Sequence, residues 1–423
     1  MPKVKFPYGK EIIEYDINEK HFVAELVSEL HHYKPTATEN ELVAHALENP
    51  IGTPKLSVMA KDKKNIIIIC SDHTRPVPSK IIIPQMLKEI RKGSPDAKIT
   101  LLISTGLHRV STDEEMIFKF GEEIFNTENI VMHDCDKSEM VNIGILPSGG
   151  DIVINKLITE ADLITSEGFI EPHFFAGFSG GRKSLLPGVA DRVTVSYNHN
   201  AEFIAHPRAR AGILDGNPIH TDMLYAARIG RLDFICNVVI DGDKKVIYAV
   251  AGDVDKAHLN GVDFLADKCQ VKQAPADIVI STNGGFPLDQ NIYQAVKGMS
   301  AAEVTVKEGG VIVMLARSND GHGGEVFHQL FRDERNVDVL LKQFLDTPKE
   351  KTVTDQWQSQ IFARILKKAT VVYVSEADDQ LIKDLHMIPA KTLDQAMEIA
   401  RDHLNNPDAT ITAIPDGIAV MVV

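Results

Sequence analysis

The run Ile66-Ile-Ile-Ile-Cys70-Ser-Asp-His-Thr-Arg-Pro-Val-Pro78 is the part of this sequence that points most directly to an architecture. Its apolar beginning is typical of a strand that is buried on both faces of a parallel sheet. Helical patterns cover residues 80–92 and, after Ser111, residues 112–126, and the apolar run Ile99-Thr-Leu-Leu-Ile-Ser104 lies between them. This alternation predicts an α/β fold in which helices cover a parallel sheet.

The same pattern starts again after residue 270, with the apolar runs Asp277-Ile-Val-Ile-Ser281 and Val311-Ile-Val-Met-Leu315. A chain of 423 residues is also longer than one ordinary domain. We therefore predict two Rossmann-like parallel-sheet domains, over residues 1–272 and 273–408. Residues 409–423 read as two strands that fit the sheet of either domain, including a return to the first.

Composition excludes several classes of function. The formal net charge is −14, whereas binding to nucleic acid or an anionic membrane needs clustered Lys and Arg, so we expect neither as a partner. The sequence shows no signal-peptide pattern and no apolar run of transmembrane length, and we predict a cytoplasmic protein. No Cys-x-x-Cys pair suggests zinc or a disulfide framework among the four cysteines, Cys70, Cys135, Cys236 and Cys269.

Two polar loops directly follow predicted strands, where ligands bind in open α/β sheets. The first contains Asp72 and Arg75, which are predicted to point into a crevice, although a surface Asp–Arg pair is the alternative. The second is Thr105-Gly-Leu-His108, in which Gly106 permits close approach of a ligand to the backbone. His108 lies at the expected mouth of the crevice, although a lone histidine in such a place is more often structural.

A third segment, Glu171-Pro-His-Phe-Phe-Ala-Gly-Phe-Ser-Gly-Gly-Arg-Lys-Ser184, combines a histidine, several glycines and a lysine. Glycines free backbone N–H groups to surround phosphate oxygens, and Lys183 adds a positive charge. A P-loop is disfavoured because Arg182 stands where that motif needs glycine. The segment predicts a phosphate-bearing ligand, and a flexible glycine-rich turn is the alternative.

Three further residues have ordinary interpretations when taken one at a time. His199 lies in the polar run Ser196-Tyr-Asn-His-Asn200, and a single histidine cannot hold a metal unless other ligands come from outside the protein. Lys297 shares a helical face with Tyr293 after a predicted strand, which is also consistent with a solvated lysine. Trp357 is the only tryptophan and by default packs in a core or an interface.

Taken in order, these motifs closely resemble the lactate racemase family. The match rests on Ser-Asp-His-Thr-Arg-Pro from Ser71, Ser-Thr-Gly-Leu-His from Ser104, the glycine-rich segment from Glu171 to Lys183, and Gln-Ala-Val-Lys from Gln294. It spans about residues 65 to 360, and the domain layout extends it over the whole chain. An ordered set of this kind is far more specific than any one of its members.

The resemblance implies a nickel-containing cofactor, nickel pyridinium-3,5-bisthiocarboxylic acid mononucleotide (the nickel-pincer nucleotide), bound by the N-terminal domain. Lys183 would tether it covalently through a thioamide, and His199 would be the protein ligand of nickel. The pincer would supply a sulfur, a carbon and a sulfur, which accounts for a metal site with a single histidine. The other residues implied to line the cofactor are Asp72, Arg75, Thr105, Gly106, Gly177, Ser179 and Gly180.

The activity implied is that of an isomerase which interconverts D- and L-lactate by proton-coupled hydride transfer through pyruvate. Each enantiomer needs its own base, and His108 and His173 would fill these roles because imidazole exchanges protons near neutral pH. The active site would lie in the interdomain cleft, and cofactor-biosynthesis proteins would be partners. The residues implied to hold the 2-hydroxy acid are Arg75, Tyr293, Gln294, Lys297 and Trp357.

Three other functions were weighed against this one. A racemase or epimerase of another 2-hydroxy acid would use the same cofactor and the same residues. A non-catalytic carrier of the cofactor would need Lys183 and His199 but no bases. A conventional NAD-dependent dehydrogenase is disfavoured because no Gly-x-Gly-x-x-Gly motif follows the early strands.

Overall fold

The computed structural model describes the backbone of residues 1–423 and every side chain except that of His31. The chain forms two compact units. The central unit comprises Leu30–His199 and His206–Lys268, and the terminal unit comprises Met1–Glu29, Asn200–Ala205 and Cys269–Val423.

The strands, in chain order, are β1 (Lys3–Tyr8), β2 (Glu11–Asp16), β3 (Phe22–Glu25), β4 (Asn65–Ser71), β5 (Lys98–Ser104), β6 (Asn129–Met132), β7 (Met140–Ile145), β8 (Asp151–Asn155), β9 (Leu163–Phe169), β10 (Pro172–His173), β11 (Gly177–Phe178), β12 (Phe234–Ile240), β13 (Val246–Gly252), β14 (Gln270–Val271), β15 (Ala276–Thr282), β16 (Val306–Leu315), β17 (Thr370–Val374), β18 (Ile388–Ala390), β19 (Ile411–Ile414) and β20 (Met421–Val422). The α-helices are α1 (Glu39–Glu48), α2 (Leu56–Met59), α3 (Ser79–Gly93), α4 (Asp113–Phe120), α5 (Glu122–Thr127), α6 (Arg192–Asn198), α7 (Ala201–Ala205), α8 (Pro218–Ile229), α9 (Lys256–Cys269), α10 (Ile292–Thr305), α11 (Glu325–Asp333), α12 (Val337–Asp346), α13 (Gln356–Lys368), α14 (Asp379–Asp384) and α15 (Leu393–Leu404).

The central unit is built on a six-stranded sheet in the order β13-β12-β9-β4-β5-β6. All neighbours are parallel except β13, which runs antiparallel to β12. The four isoleucines of β4 are at most 1% exposed, which explains why this strand carries apolar residues on both faces. Helix α3 covers one face with its buried residues, among them Ile82, Ile83 and Met86.

The helix predicted over residues 112–126 is two helices in the structure. Thr112, rather than Ser111, caps α4 through a capping box with Glu115. Gly121 then adopts a φ of +89°, which a helix cannot accommodate, and α5 begins at the next residue. The prediction therefore located the helical segment correctly but missed the break inside it.

The terminal unit contains a second six-stranded sheet, in the order β18-β17-β16-β15-β19-β3, with all neighbours parallel. This corrects the predicted division of the chain, which gave residues 1–272 to one domain. Strand β3 pairs with β19, and Val4, Phe6 and Ile17 pack in the core of this sheet. The C-terminal strands also stay here, because β19 pairs with β15 and β20 with β14.

The prediction of an α/β fold with two parallel-sheet domains is thus confirmed. All four cysteines are buried and carry free thiols. Across the part of the chain that the structure describes, no helix has the length and apolar character that crossing a membrane requires.

Candidate active site

The loop between β4 and α3 carries a buried carboxylate that is bonded on both oxygens. Asp72 Oδ1 accepts hydrogen bonds from the backbone N–H of Thr74 at 3.1 Å and from its hydroxyl at 2.6 Å. Asp72 Oδ2 lies 2.7 Å from Nδ1 of His108, which follows the neighbouring strand β5. Adjacent strand ends therefore bring together two of the predicted residues, as the parallel sheet requires.

The contact with Asp72 fixes the tautomer of the His108 ring. An ionised carboxylate only accepts hydrogen bonds, so Nδ1 carries the proton and the neutral ring has its lone pair on Nε2. The His108 side chain is 44% exposed, whereas that of Asp72 is 1% exposed. Burial opposes ionisation of Asp72, but the hydrogen bonds from His108 and Thr74 outweigh it, and the pKa of Asp72 lies below its ordinary value.

The glycine-rich hairpin, residues 171–184, places an aromatic ring among three predicted residues. The Phe175 ring makes edge contacts with the rings of His173 and His199, at centroid distances of 4.5 and 5.2 Å. Lys183 Nζ lies 5.8 Å from the centre of the same ring. We call Phe175, His173, Lys183 and His199 the Phe175 cluster.

His199 has the properties of a neutral metal ligand. It follows the last residue of α6, is 4% exposed, and lies with its Nδ1 2.9 Å from the carbonyl oxygen of Val195. Burial first, and then the charge of Lys183, lowers the pKa of His199 to about 3, so the ring is neutral near pH 7. Donation of the Nδ1 proton to Val195 leaves Nε2 as the nitrogen that would ligate a metal.

His173 differs from His108 in its tautomer. Its Nδ1 accepts a hydrogen bond from the backbone N–H of Ala176 at 3.3 Å, so in the neutral ring the proton is on Nε2. His108 thus offers a lone pair at Nε2, while His173 carries a proton there.

Two N–H groups of the glycine-rich hairpin are bonded within the protein. Ser179 donates its N–H to the carbonyl of Glu171, and Gly181 donates its N–H to Oδ1 of Asn237 at 2.7 Å. A Cβ at Gly177 would lie 2.4 Å from the carbonyl oxygen of Ile213, and one at Gly180 would meet Asn237 at 2.8 Å. These glycines therefore allow close packing within the protein, and their contact with the cofactor stays a prediction.

The other residues predicted to line the cofactor hold different positions. The buried hydroxyls of Thr105 and Ser179 donate to the carbonyls of His133 and Phe169, so both shape their loops. Gly106 has a φ of +56°, and a Cβ at this position would make an ordinary contact with the carbonyl oxygen of Pro187 at 3.7 Å, so the backbone conformation rather than a lack of space favours glycine here. The exposed guanidinium of Arg75 makes no hydrogen bond or ion pair with the described residues.

Arg182 is a buried residue whose role the sequence did not reveal. It is fully buried, and its guanidinium donates to the carbonyls of Ala176 at 2.7 Å and Gly180 at 3.3 Å, across the apex of the hairpin. Burial lowers the pKa of Arg182 to about 9. The only signal in the sequence was its departure from the P-loop pattern.

In the terminal unit, the predicted substrate residues lie on two packed helices. Tyr293, Gln294 and Lys297 are on α10, and Trp357 is on α13. The Tyr293 hydroxyl donates to Asp355 Oδ1 at 2.7 Å, and Gln358 Nε2 donates to the Tyr293 carbonyl at 2.5 Å. Asp355 has a φ of +66°, an uncommon backbone state for a non-glycine residue, and the sequence gave no sign of it.

Comparisons with known proteins agree on one family. Two family models match the chain, a lactate racemase N-terminal domain over residues 8–212 and a lactate racemase C-terminal domain over residues 271–422. Lactate racemase of Lactiplantibacillus plantarum is 53% identical over 424 residues, with 100% of both chains covered. Lactate racemase of Thermoanaerobacterium thermosaccharolyticum is 50% identical, with 100% of this chain and 99% of the relative covered.

Solved structures extend the agreement to the fold. The lactate racemase apoprotein of Thermoanaerobacterium thermosaccharolyticum superposes with a TM-score of 0.96 at 48% identity, over 100% of both chains. A protein from Thermotoga maritima, 17% identical, matches with a TM-score of 0.62 over 91% of this chain and 97% of its own, which shows a shared fold alone. The resemblance seen in the sequence and the prediction of a racemase, which is an isomerase, are confirmed: the chain belongs to the lactate racemase family.

Proposed function

We propose that this chain interconverts D- and L-lactate, with pyruvate as the intermediate. The observation that carries the proposal is the Phe175 cluster, in which a lysine, a buried neutral histidine and a second histidine surround one ring. The names of the two close relatives indicate lactate as the substrate. Oxidation of the hydroxyl-bearing carbon to a neutral carbonyl avoids a carbanion next to the carboxylate.

The residues of the cluster fit a nickel-pincer nucleotide. A single buried imidazole is a weak site for a bare metal ion, but it suffices when the other ligands come from the cofactor. Lys183 would hold the cofactor covalently and His199 would ligate nickel through Nε2. When bound, the cofactor supplies a hydride acceptor. Cofactor-biosynthesis proteins would then be needed to load the chain.

Proton transfer falls to His108 and His173, each serving one enantiomer. His108 takes the hydroxyl proton at Nε2, and Asp72 stabilises the imidazolium that forms and keeps the ring in place. His173 serves the other enantiomer. The ring that returns a proton to the carbonyl oxygen of pyruvate does so as the imidazolium, because a neutral imidazole does not give up its remaining proton near neutral pH.

The carboxylate of the 2-hydroxy acid needs cationic partners. Arg75 offers an exposed guanidinium beside the Asp72–His108 pair. Lys297 and Gln294 on α10 are proposed to contribute a charge and an amide, with Tyr293 and Trp357 on the methyl side. A racemase of a larger 2-hydroxy acid would use the same set, whereas a carrier would have no use for the Asp72–His108 pair.

The test is racemisation by protein that is co-produced with the cofactor-making enzymes, together with its intact mass and nickel content. We expect either enantiomer to be converted, with stoichiometric nickel and a mass increment that Lys183→Ala abolishes. Lys156→Ala is the matched control, because this lysine is half-exposed and paired with Glu139. A protein that gains neither mass nor nickel would contradict the cofactor, and a loaded protein inert on lactate would contradict the substrate.

A further inference from the structure

Glu167 is a carboxylate in the middle of an apolar layer. It lies on β9, is 2% exposed, and faces Cys236 directly in the register of β9 and β12. The surrounding layer is formed by buried residues such as Ile68, Cys70 and Phe169. Burial, and then the charge of Glu167, raises the pKa of Cys236 to about 12, so the thiol stays protonated.

Only one of the two Glu167 oxygens is bonded. Oε1 accepts from the backbone N–H of Ser71 at 3.3 Å, from the Ser71 hydroxyl at 3.1 Å and from the Ser79 hydroxyl at 2.8 Å. Oε2 is buried and accepts no hydrogen bond from the described residues. A half-satisfied buried carboxylate costs folding free energy, so stability alone is a poor explanation for this residue.

The two serines mark the ends of the segment that carries Asp72. Ser71 is the last residue of β4 and Ser79 is the first of α3, so residues 72–78 form a loop whose two ends are both bonded to Glu167. The middle of the loop is held separately, because the buried Lys119 donates to the carbonyl of Arg75 at 3.4 Å. Asp72 directly follows Ser71, so its carboxylate is placed by this anchor.

We infer that Glu167 is a positioning residue, which holds Asp72 against His108 by fixing both ends of the loop 72–78. Its hydrogen bonds among the described residues are to Ser71 and Ser79, and it acts through them. The inference rests on the proposed function in one respect, namely that His108 is the base for one enantiomer. Arg75 lies in the same loop and is proposed to bind both enantiomers, so the comparison is made at saturating lactate, where loss of Glu167 should impair the chemistry of that enantiomer and spare the other.

The test measures pyruvate formed from D-lactate and from L-lactate, each in a single turnover of loaded enzyme after an acid quench. We expect Glu167→Ala to slow pyruvate formation at least tenfold for the enantiomer that His108→Asn also impairs, and less than twofold for the other. Glu167→Gln keeps an oxygen for the serine donors and should lose less. The matched control is Asp222→Asn, which changes another buried carboxylate of the central unit that is bonded to Ser148.

A second readout uses cofactor-free protein and is independent of the activity. In Glu167→Ala, amide hydrogen exchange of residues 72–78 should accelerate at least tenfold relative to the strands of the sheet, and Asp222→Asn should leave it unchanged. Equal slowing of both enantiomers, or unchanged exchange in the loop, would overturn the inference. If native loaded enzyme forms no pyruvate from either enantiomer, the proposed function fails, and the exchange result alone decides whether Glu167 anchors the loop.

Discussion

The Asp72–His108 pair and the Phe175 cluster place a histidine ring in opposite environments. His199 in the cluster is 4% exposed, contacts an aromatic ring, and has a pKa lowered to about 3. The His108 side chain is 44% exposed and bonds a carboxylate that is itself buried. Burial keeps the His199 ring neutral, whereas a hydrogen bond to the carboxylate of Asp72 orients the His108 ring. The surroundings, and not the residue type, are what distinguish the proposed metal ligand from the proposed base.

The largest effect is expected from replacement of His199, the proposed nickel ligand. His199→Ala should abolish nickel retention and lower racemisation more than about 10³-fold, since loss of an outer-shell partner alone costs about 10–100-fold. Nickel per chain and the rate of racemisation are the measurements. His220→Ala is the control, because burial also lowers the pKa of this histidine to about 3. Equal loss of nickel from both variants would contradict the proposal that His199 is the nickel ligand.

The Asp72–His108 pair is tested by Asp72→Asn. The amide cannot stabilise the imidazolium and no longer selects the tautomer with the proton on Nδ1, so kcat should fall about 10²-fold or more. Thr74→Ala removes only one donor to Asp72 and should cost far less. A kcat within a few fold of native for Asp72→Asn would remove Asp72 from the account.

Lys297, in the terminal unit, is expected to affect KM rather than kcat. Lys297→Met removes a cation proposed to bind the carboxylate, and a lost charged hydrogen bond of about 1.5–3 kcal/mol raises KM about 10- to 150-fold. Because the interaction is made by substrate and transition state alike, kcat should change little. Steady-state kinetics on both enantiomers measures this, and a fall in kcat at constant KM would assign Lys297 to the chemistry instead.

The smallest effect concerns His220, whose neutral ring makes the free energy of unfolding depend on pH. The pKa of His220 is lowered to about 3, by burial first and then by Arg182, so between pH 6.5 and 3 the unfolded chain binds a proton that the folded chain does not. Its contribution to the free energy of unfolding is complete above pH 6.5 and falls by about 1.4 kcal/mol per pH unit below it.

Urea unfolding of cofactor-free protein between about pH 7 and 5 measures this slope. His220→Leu should make the fall in stability with decreasing pH shallower. Equal slopes in the native protein and the variant would show that His220 is not held neutral by its surroundings.

Parts of the fold were predictable because their cause is local. The apolar runs of β4 and β5 reflect burial on both faces of the sheet. The polar loops that follow them lie at the edge of the sheet where ligands bind in open α/β folds. The break at Gly121 was visible as a glycine, but its positive φ was not. The pairing of β3 with β19, which brings Met1–Glu29 into the terminal unit, depends on a partner at the far end of the chain.

The residues of the candidate site also differ in how far the sequence could predict them. Asp72 and His108 were predicted because adjacent parallel strands must bring their loops together. Phe175 and Glu167 were missed because their roles come from neighbours on other elements. The glycines at 177 and 180 were predicted to line the cofactor, but a sequence cannot show that each also allows a close approach by other atoms of the same chain.

The most direct test of the account compares His108→Asn with His173→Asn in the single-turnover pyruvate assay. Both directions of a racemase share every step, so steady-state racemisation falls in both directions when either base is lost. Pyruvate formation separates the bases, because each enantiomer is oxidised with the help of one histidine. The account predicts that each variant loses pyruvate formation from one enantiomer, and that the two variants lose opposite enantiomers. Loss of the same enantiomer in both variants, or equal loss of both enantiomers, would contradict it.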